Sequence, residues 1–162
     1  MTPEMIAVLE AAIELEQKEH EMYCKLLEMA ETQNCKTFFK ELSVEELKHE
    51  ELLKECVRTG KDMDDVKKEK YRDYIIELDV ASMLDAFHDI SDLEKGFEIA
   101  IKQEVATQKL YAALIERTAS LSLKRLLKQL QEEENKHERL LLREHGKLFH
   151  PDQVEEDGED EI

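Results

Sequence analysis

The chain contains an internal repeat that runs without a gap: residues 12–53 recur as residues 100–141, at a constant offset of 88. Each copy holds two segments in which apolar residues recur every three or four positions, the spacing of an amphipathic helix. Two such helix pairs bury their apolar faces when they pack on each other. The repeat therefore predicts an all-α, antiparallel four-helix bundle, built from two repeated helix pairs with a long crossover between helices 2 and 3.

Residues that favour helix ends divide the chain into four helices. These residues are Thr2, Pro3, Gly60, Ser91 and Ser122. The helices are expected at about 3–31, 35–58, 92–118 and 123–146. Between the second and third helices, the charged residues 61–80 predict a connection, followed by a short helix at about 80–88.

The four helices fit one domain, residues 1–148, since a length of roughly 150 residues is typical of a single domain. The remaining residues, 149–162, are acidic and nearly free of apolar side chains. Such a segment buries too little apolar surface to offset the entropy cost of ordering, so we expect a disordered tail.

The charge of the chain limits its partners. It has 40 acidic and 23 basic residues, a net charge of −17. Nucleic acids and anionic membranes are bound through Lys and Arg, so neither partner is expected. No stretch approaches the ~18 apolar residues of a membrane span, and the three cysteines, an odd number, favour reduced thiols. These features predict a cytoplasmic protein.

The repeat places one acid in the apolar stripe of each predicted helix: Glu16, Glu46, Glu104 and Glu134. In helices 2 and 4 a histidine, His49 or His137, follows one turn later on the same face. Four carboxylates in a bundle core repel one another and lose hydration, so a positive charge must accompany them.

Two divalent cations would balance the four carboxylates, and each imidazole would offer a nitrogen. One Glu from each of two helices with a Glu-x-x-His from each of the other two is the ligand set of di-iron and di-manganese bundles. The sequence therefore predicts a dinuclear metal site. The alternative is a purely structural bundle without metal, but it would bury four carboxylates without balancing cations, which is energetically unfavourable.

Three further residues lie on the same stripes. Tyr23 and Tyr111 lie two turns from Glu16 and Glu104, so their hydroxyls can reach the ligating carboxylates, although ordinary packing explains them nearly as well. His20 is a candidate ligand or proton donor, with the alternative of a core histidine whose hydrogen bonds are satisfied.

Two stretches of the chain, AIELE…Y…FFKELSVEELKHEELL and its repeat IAIKQE…Y…LLKQLQEEENKHERLL, resemble rubrerythrin and its short ferritin-like relatives. The resemblance covers about residues 8–60 and 92–146. It implies a ferritin-like bundle with two iron ions, in which Glu16 and Glu104 are terminal or bridging ligands. It also implies Glu46 and Glu134 as carboxylate ligands, His49 and His137 as nitrogen ligands, and reduction of hydrogen peroxide to water by the diferrous form.

The chain departs from the family pattern in two ways. Full-length rubrerythrins carry a four-cysteine rubredoxin domain, which these residues cannot form, so the resemblance implies a separate electron donor such as a rubredoxin-type protein. Rubrerythrins also have a second glutamate three residues after the first on helix 3, where this chain has Thr107. Glu19 holds the equivalent position on helix 1. It is either an extra, redox-dependent ligand or an acid outside the ligand set.

Several alternatives stay open from the sequence. The protein is either a peroxidase or an iron-binding ferroxidase that oxidises Fe(II) with oxygen, and Mn²⁺ suits the same ligands. The first helix pair packs on the second of the same chain or, by domain swapping, on that of a partner in a homodimer.

Overall fold

The computed structural model describes residues 3–59 and 92–153, which form four long helices. The helices are α1 (Pro3–Met29), α2 (Gln33–Thr59), α3 (Leu93–Arg117) and α4 (Leu121–Phe149), followed by a short 3-10 turn at Pro151–Gln153. Helix α1 packs against α2 and α3 against α4, and the two pairs meet through α1 with α3 and α2 with α4. The predicted all-α bundle of two helix pairs is confirmed.

Several predictions fall on residues outside the described ranges. They are the start at Thr2, the connection at 61–80, the short helix at 80–88 and the tail beyond residue 153. The predicted cap at Ser91 is wrong, because Asp92 is the N-cap of α3 and its side chain accepts a hydrogen bond from Lys95 N. Among the helices that the structure describes, none is both long and apolar enough to cross a bilayer.

Helix α4 begins and ends at other residues than the sequence indicates. Its N-cap is Ser120, in extended conformation, whose side chain accepts a hydrogen bond from Leu123 N, whereas Ser122 lies inside the helix. At the other end α4 continues through Gly146 to Phe149. Glycine within a helix costs about 1 kcal/mol, and the contact between the Phe149 and Phe97 rings, 5.9 Å apart, offsets this cost.

Two apolar clusters fill the bundle on either side of its middle. One joins the first half of α1 to the end of α2, the end of α3 and the start of α4, and includes Leu9, Leu53, Leu114 and Leu127. The other joins the opposite ends of the same helices and includes Tyr23, Phe39, Phe97 and Leu141. Each helix therefore passes from one apolar cluster to the other through a short central stretch, and the polar core residues lie in these stretches.

Candidate metal centre

All four helices contribute to a buried polar group in the middle of the bundle. Its members are Glu16 of α1, Glu46 and His49 of α2, Glu104 of α3, and Glu134 and His137 of α4. The four carboxylates are 0% exposed and the two imidazoles 1% exposed. The structure thus brings together the six residues that the repeat singled out.

The six side chains form two overlapping groups whose ligand atoms lie within 4.8 Å of one another. Glu16 and His49 belong to the first group only, and Glu104 and His137 to the second only. Glu46 and Glu134 belong to both. If each group held one metal ion, Glu46 and Glu134 would contribute to both sites, whereas Glu16 and Glu104 would contribute to one each.

In the first group, Nδ1 of His49 faces the carboxylates. It lies 2.8 Å from Glu134 Oε1, 3.4 Å from Glu16 Oε2 and 3.4 Å from Glu46 Oε2. The other ring nitrogen, Nε2, donates to the carboxylate of Glu133. This outer bond fixes the plane of the ring, as partners of metal-binding histidines do.

The second group repeats this arrangement around His137. Its Nδ1 lies 2.7 Å from Glu46 Oε1, 3.5 Å from Glu134 Oε2 and 3.6 Å from Glu104 Oε1. Its Nε2 donates to Glu45 Oε2 at 2.8 Å. Each histidine is thus held by an acid from the opposite helix pair, which links α2 to α4 twice.

The outer acids Glu45 and Glu133 were not recognised as functional residues from the sequence. A signal for them exists, because each directly precedes a proposed ligand and the Glu-Glu pair recurs at the offset of the repeat. Burial raises the pKa of each carboxyl, but the hydrogen bond from the histidine outweighs burial and lowers the pKa. Both acids therefore stay ionised beside the imidazoles.

Without a metal, protons must stabilise the central carboxylates. Burial and repulsion by Glu46 raise the pKa of Glu16 to about 8. Burial and neighbouring carboxylates also raise the pKa of Glu104 and of Glu134. Burial acts on Glu46 in the same direction, but the adjacent Glu16 carboxyl and the nearby His137 outweigh burial and hold the pKa of Glu46 well below the usual range.

The two imidazoles also hold protons in the metal-free state. Burial lowers the pKa of each, but the surrounding carboxylates outweigh burial and raise the pKa of His49 and of His137. The imidazolium ions supply part of the positive charge that the carboxylates need. Metal binding would displace these protons, because metal ligands must be deprotonated.

The site retains buried oxygen atoms that make no hydrogen bond within the described residues: Glu16 Oε2, both Glu46 oxygens, Glu104 Oε2 and Glu134 Oε2. An unsatisfied buried polar atom costs about 1–3 kcal/mol. Carboxylate oxygens and imidazole nitrogens together suit iron and manganese. The donor set therefore fits two divalent ions of this type.

The comparison with protein families gives one match: the rubrerythrin family model covers residues 7–145. The chain belongs to the rubrerythrin family. Comparison with curated proteins and with solved structures gave no match. Family membership and the two buried carboxylate and histidine groups together indicate a metal-binding protein.

The position that departs from the rubrerythrin pattern, Thr107, lies against Glu19. Thr107 Oγ1 donates to Glu19 Oε1 at 2.7 Å, and both residues are fully buried. Glu19 is in neither ligand group. Burial and repulsion by the ligand carboxylates raise the pKa of Glu19 well above the usual range.

The tyrosines of this rubrerythrin-family bundle bond to the ligands across the helix pairs. Tyr23 of α1 donates to Glu104 of α3, and Tyr111 of α3 donates to Glu16 of α1. Burial and the adjacent carboxylates raise the pKa of both hydroxyls, which therefore stay protonated. The expectation that they reach the proposed ligands is met, on the opposite helix in each case.

His20 has its hydrogen bonds satisfied away from the centre. Its Nδ1 donates to the carbonyl oxygen of Ser43 at 2.7 Å, and Nε2 lies 3.6 Å from Cys24 Sγ. It is in neither central ligand group. Of the two sequence alternatives, the structure favours the satisfied histidine.

Proposed function

We propose that this protein is a di-iron oxidoreductase of the rubrerythrin type that reduces hydrogen peroxide to water. The observation that carries the proposal is the pair of overlapping ligand groups joined by Glu46 and Glu134. Glu16 and His49 would complete the binding of one iron ion, and Glu104 and His137 that of the other. Bound Fe(II) ions would together supply the two electrons that cleavage of the O–O bond requires.

Reduction of one peroxide to two waters also consumes two protons. Glu19 is fully buried beside the ligand carboxylates, and its Oε2 makes no hydrogen bond among the described residues, so this atom could carry a proton. Tyr23 and Tyr111 hold their hydroxyl protons on the terminal carboxylates. We assign Glu19 the role of proton donor, with the tyrosines keeping Glu16 and Glu104 in position.

A small substrate can approach the centre between α2 and α4. A surface cleft of about 230 Å³ is lined there by Glu45, Lys48, Leu52, Gln129, Glu133, Lys136 and one ligand, His49. The cleft is large enough to admit a neutral molecule of a few atoms such as peroxide. The outer acids Glu45 and Glu133 line it and accept hydrogen bonds from the two imidazoles.

We propose that a separate protein of the rubredoxin type supplies the electrons. A rubredoxin-type iron site requires four thiolates. The 162 residues contain three cysteines, none of which forms a disulfide: Cys24, Cys35 and Cys56. They are therefore not assigned to electron transfer.

The test is to load the metal-free protein anaerobically with two Fe(II) per chain and to follow iron oxidation by peroxide and by oxygen in parallel. The proposal predicts that peroxide reacts faster by orders of magnitude and that oxidation stops at the two bound ions. Equal rates with oxygen, and oxidation of further iron, would instead identify a ferroxidase.

A matched pair of variants ties the reaction to the proposed site. Glu46→Gln removes a bridging charge, whereas Glu51→Gln makes the same change at an exposed position of α2. We expect the first variant to lose two-iron binding and the second to match the parent protein. Unchanged iron binding in Glu46→Gln would contradict the assignment of this ligand.

A further inference from the structure

A second group of metal-ligating side chains lies away from the centre. Glu94 in the first turn of α3, His145 near the end of α4 and His150, the C-cap of α4, place one ligand atom each within 4.8 Å of one another. None of the three belongs to the central groups. No sequence pattern links His145 or His150 to a partner, and the tertiary structure brings both of them to Glu94.

The imidazole of His145 is held in place by aromatic packing. Its ring lies 5.9 Å from that of Phe97 and 5.2 Å from that of Phe149, and the side chain is 17% exposed. Its Nε2 is buried, makes no hydrogen bond with the described residues and lies 3.7 Å from Glu94 Oε1. A buried nitrogen without a hydrogen bond, close to a carboxylate, is an atom that a metal ion could bind.

His150 completes the group from the solvent side. Its ring centroid lies 5.6 Å from that of His145, and the residue is exposed. Its backbone N–H donates to Gly146 O at 2.8 Å, which fixes the end of α4. The C-terminal end of a helix dipole favours a cation, and the exposed ring leaves an ion free to enter from water.

We propose that Glu94, His145 and His150 form a separate binding site for a divalent transition-metal ion of the zinc or iron(II) class. Two imidazoles and one carboxylate are a ligand set that zinc and non-haem Fe(II) use, with further positions open to water. Magnesium and calcium prefer oxygen ligands only. The site would therefore select a transition metal over these more abundant ions.

The number of zinc ions bound per chain tests the proposal directly. Metal-free protein without a histidine tag is dialysed to equilibrium against Zn²⁺ at about 0.15 M salt, where exposed charges are screened, and zinc per chain is measured. We expect Glu94→Gln and His150→Ala each to bind one zinc fewer than the parent protein. Both side chains reach solvent, so neither change disturbs the apolar core.

Glu116→Gln is the matched control, because Glu116 is an exposed acid at the opposite end of α3. This variant should bind as much zinc as the parent. Imidazole NMR signals of His145 should shift with zinc in the parent and not in Glu94→Gln. Equal zinc in the parent, Glu94→Gln and His150→Ala would overturn the proposal. The measured quantity is the difference in bound zinc between the parent protein and each variant. This difference tests the outer site whether or not the central residues bind metal.

Discussion

Glu19 marks an informative difference between the two copies of the internal repeat. The offset that relates Glu16 to Glu104 and Tyr23 to Tyr111 relates Glu19 to Thr107, and the two side chains hydrogen-bond to each other. Of the two positions related by the pseudo-twofold symmetry, one therefore carries an acid, Glu19, and the other carries Thr107. In the structure it lies outside both ligand groups, which favours a proton-donating role over that of a permanent ligand.

Substituting Glu19→Gln should slow the oxidation of bound Fe(II) by peroxide by about 100-fold or more, the usual contribution of a positioned acid. The amide keeps the shape of the side chain but carries no transferable proton. Iron binding, measured by equilibrium dialysis, should stay at two ions per chain.

The double variant Glu19→Thr with Thr107→Glu is the matched control, because it moves the acid to the symmetry-related position. We expect it to recover most of the peroxide rate lost in Glu19→Gln. An unchanged rate in Glu19→Gln would contradict the proton-donor role, and loss of iron binding would identify Glu19 as a ligand instead.

At the scale of the helix, Asp92 determines where α3 begins. Its side chain accepts a hydrogen bond from Lys95 N at 2.8 Å, and its backbone is extended, as in an N-cap. Glu94 lies in the first turn of this helix, so the cap also sets the position of the proposed outer metal site.

Asp92→Ala should lower the free energy of unfolding by about 1 kcal/mol, the typical contribution of an N-cap. The reason is that a backbone N–H of the first turn loses its acceptor. Urea denaturation measures the change. Asp92→Asn, which retains a capping oxygen, should unfold close to the parent, and equal destabilisation by both variants would show that charge, not capping, is responsible.

At the scale of the whole molecule, the buried charge makes the stability of the metal-free protein depend on pH. Burial and neighbouring carboxylates raise the pKa of Glu16 from 4.5 to about 8 and also raise that of Glu19, Glu104 and Glu134. Between pH 4.5, the ordinary pKa of a glutamate, and the raised pKa of about 8, the unfolded state releases protons that the folded state retains. The free energy of unfolding therefore decreases as pH rises.

We expect the metal-free protein to lose stability between about pH 5 and pH 8, by about 1.4 kcal/mol per pH unit for each retained proton. Urea denaturation at three pH values in this range measures the slope. Protein loaded with Mn²⁺ should show a smaller slope because the ions replace the protons. A metal-free protein that gains stability toward pH 8 would contradict the prediction.

Much of the fold and of the central site could be predicted because both are periodic features. Ligands such as Glu46 and His49 lie at fixed positions in an apolar stripe, and the repeat doubles each observation. Helix ends were predicted less well. The sequence predicts a cap at Ser122 and a helix end near residue 146, whereas α4 is capped by Ser120 and ends at Phe149, because caps and terminal packing depend on a few contacts that periodicity does not report.

The sequence by itself determined the helix pairs, their doubling and the six polar residues in the core, because helical periodicity assigns each residue to a face before any tertiary contact forms. Only the tertiary structure decided which carboxylates are shared, which acid holds each histidine and which ligand each tyrosine contacts. It also brought His145 and His150 to Glu94. These are contacts between helices that are distant in the chain, and they follow from how the helices pack, which no single helix specifies.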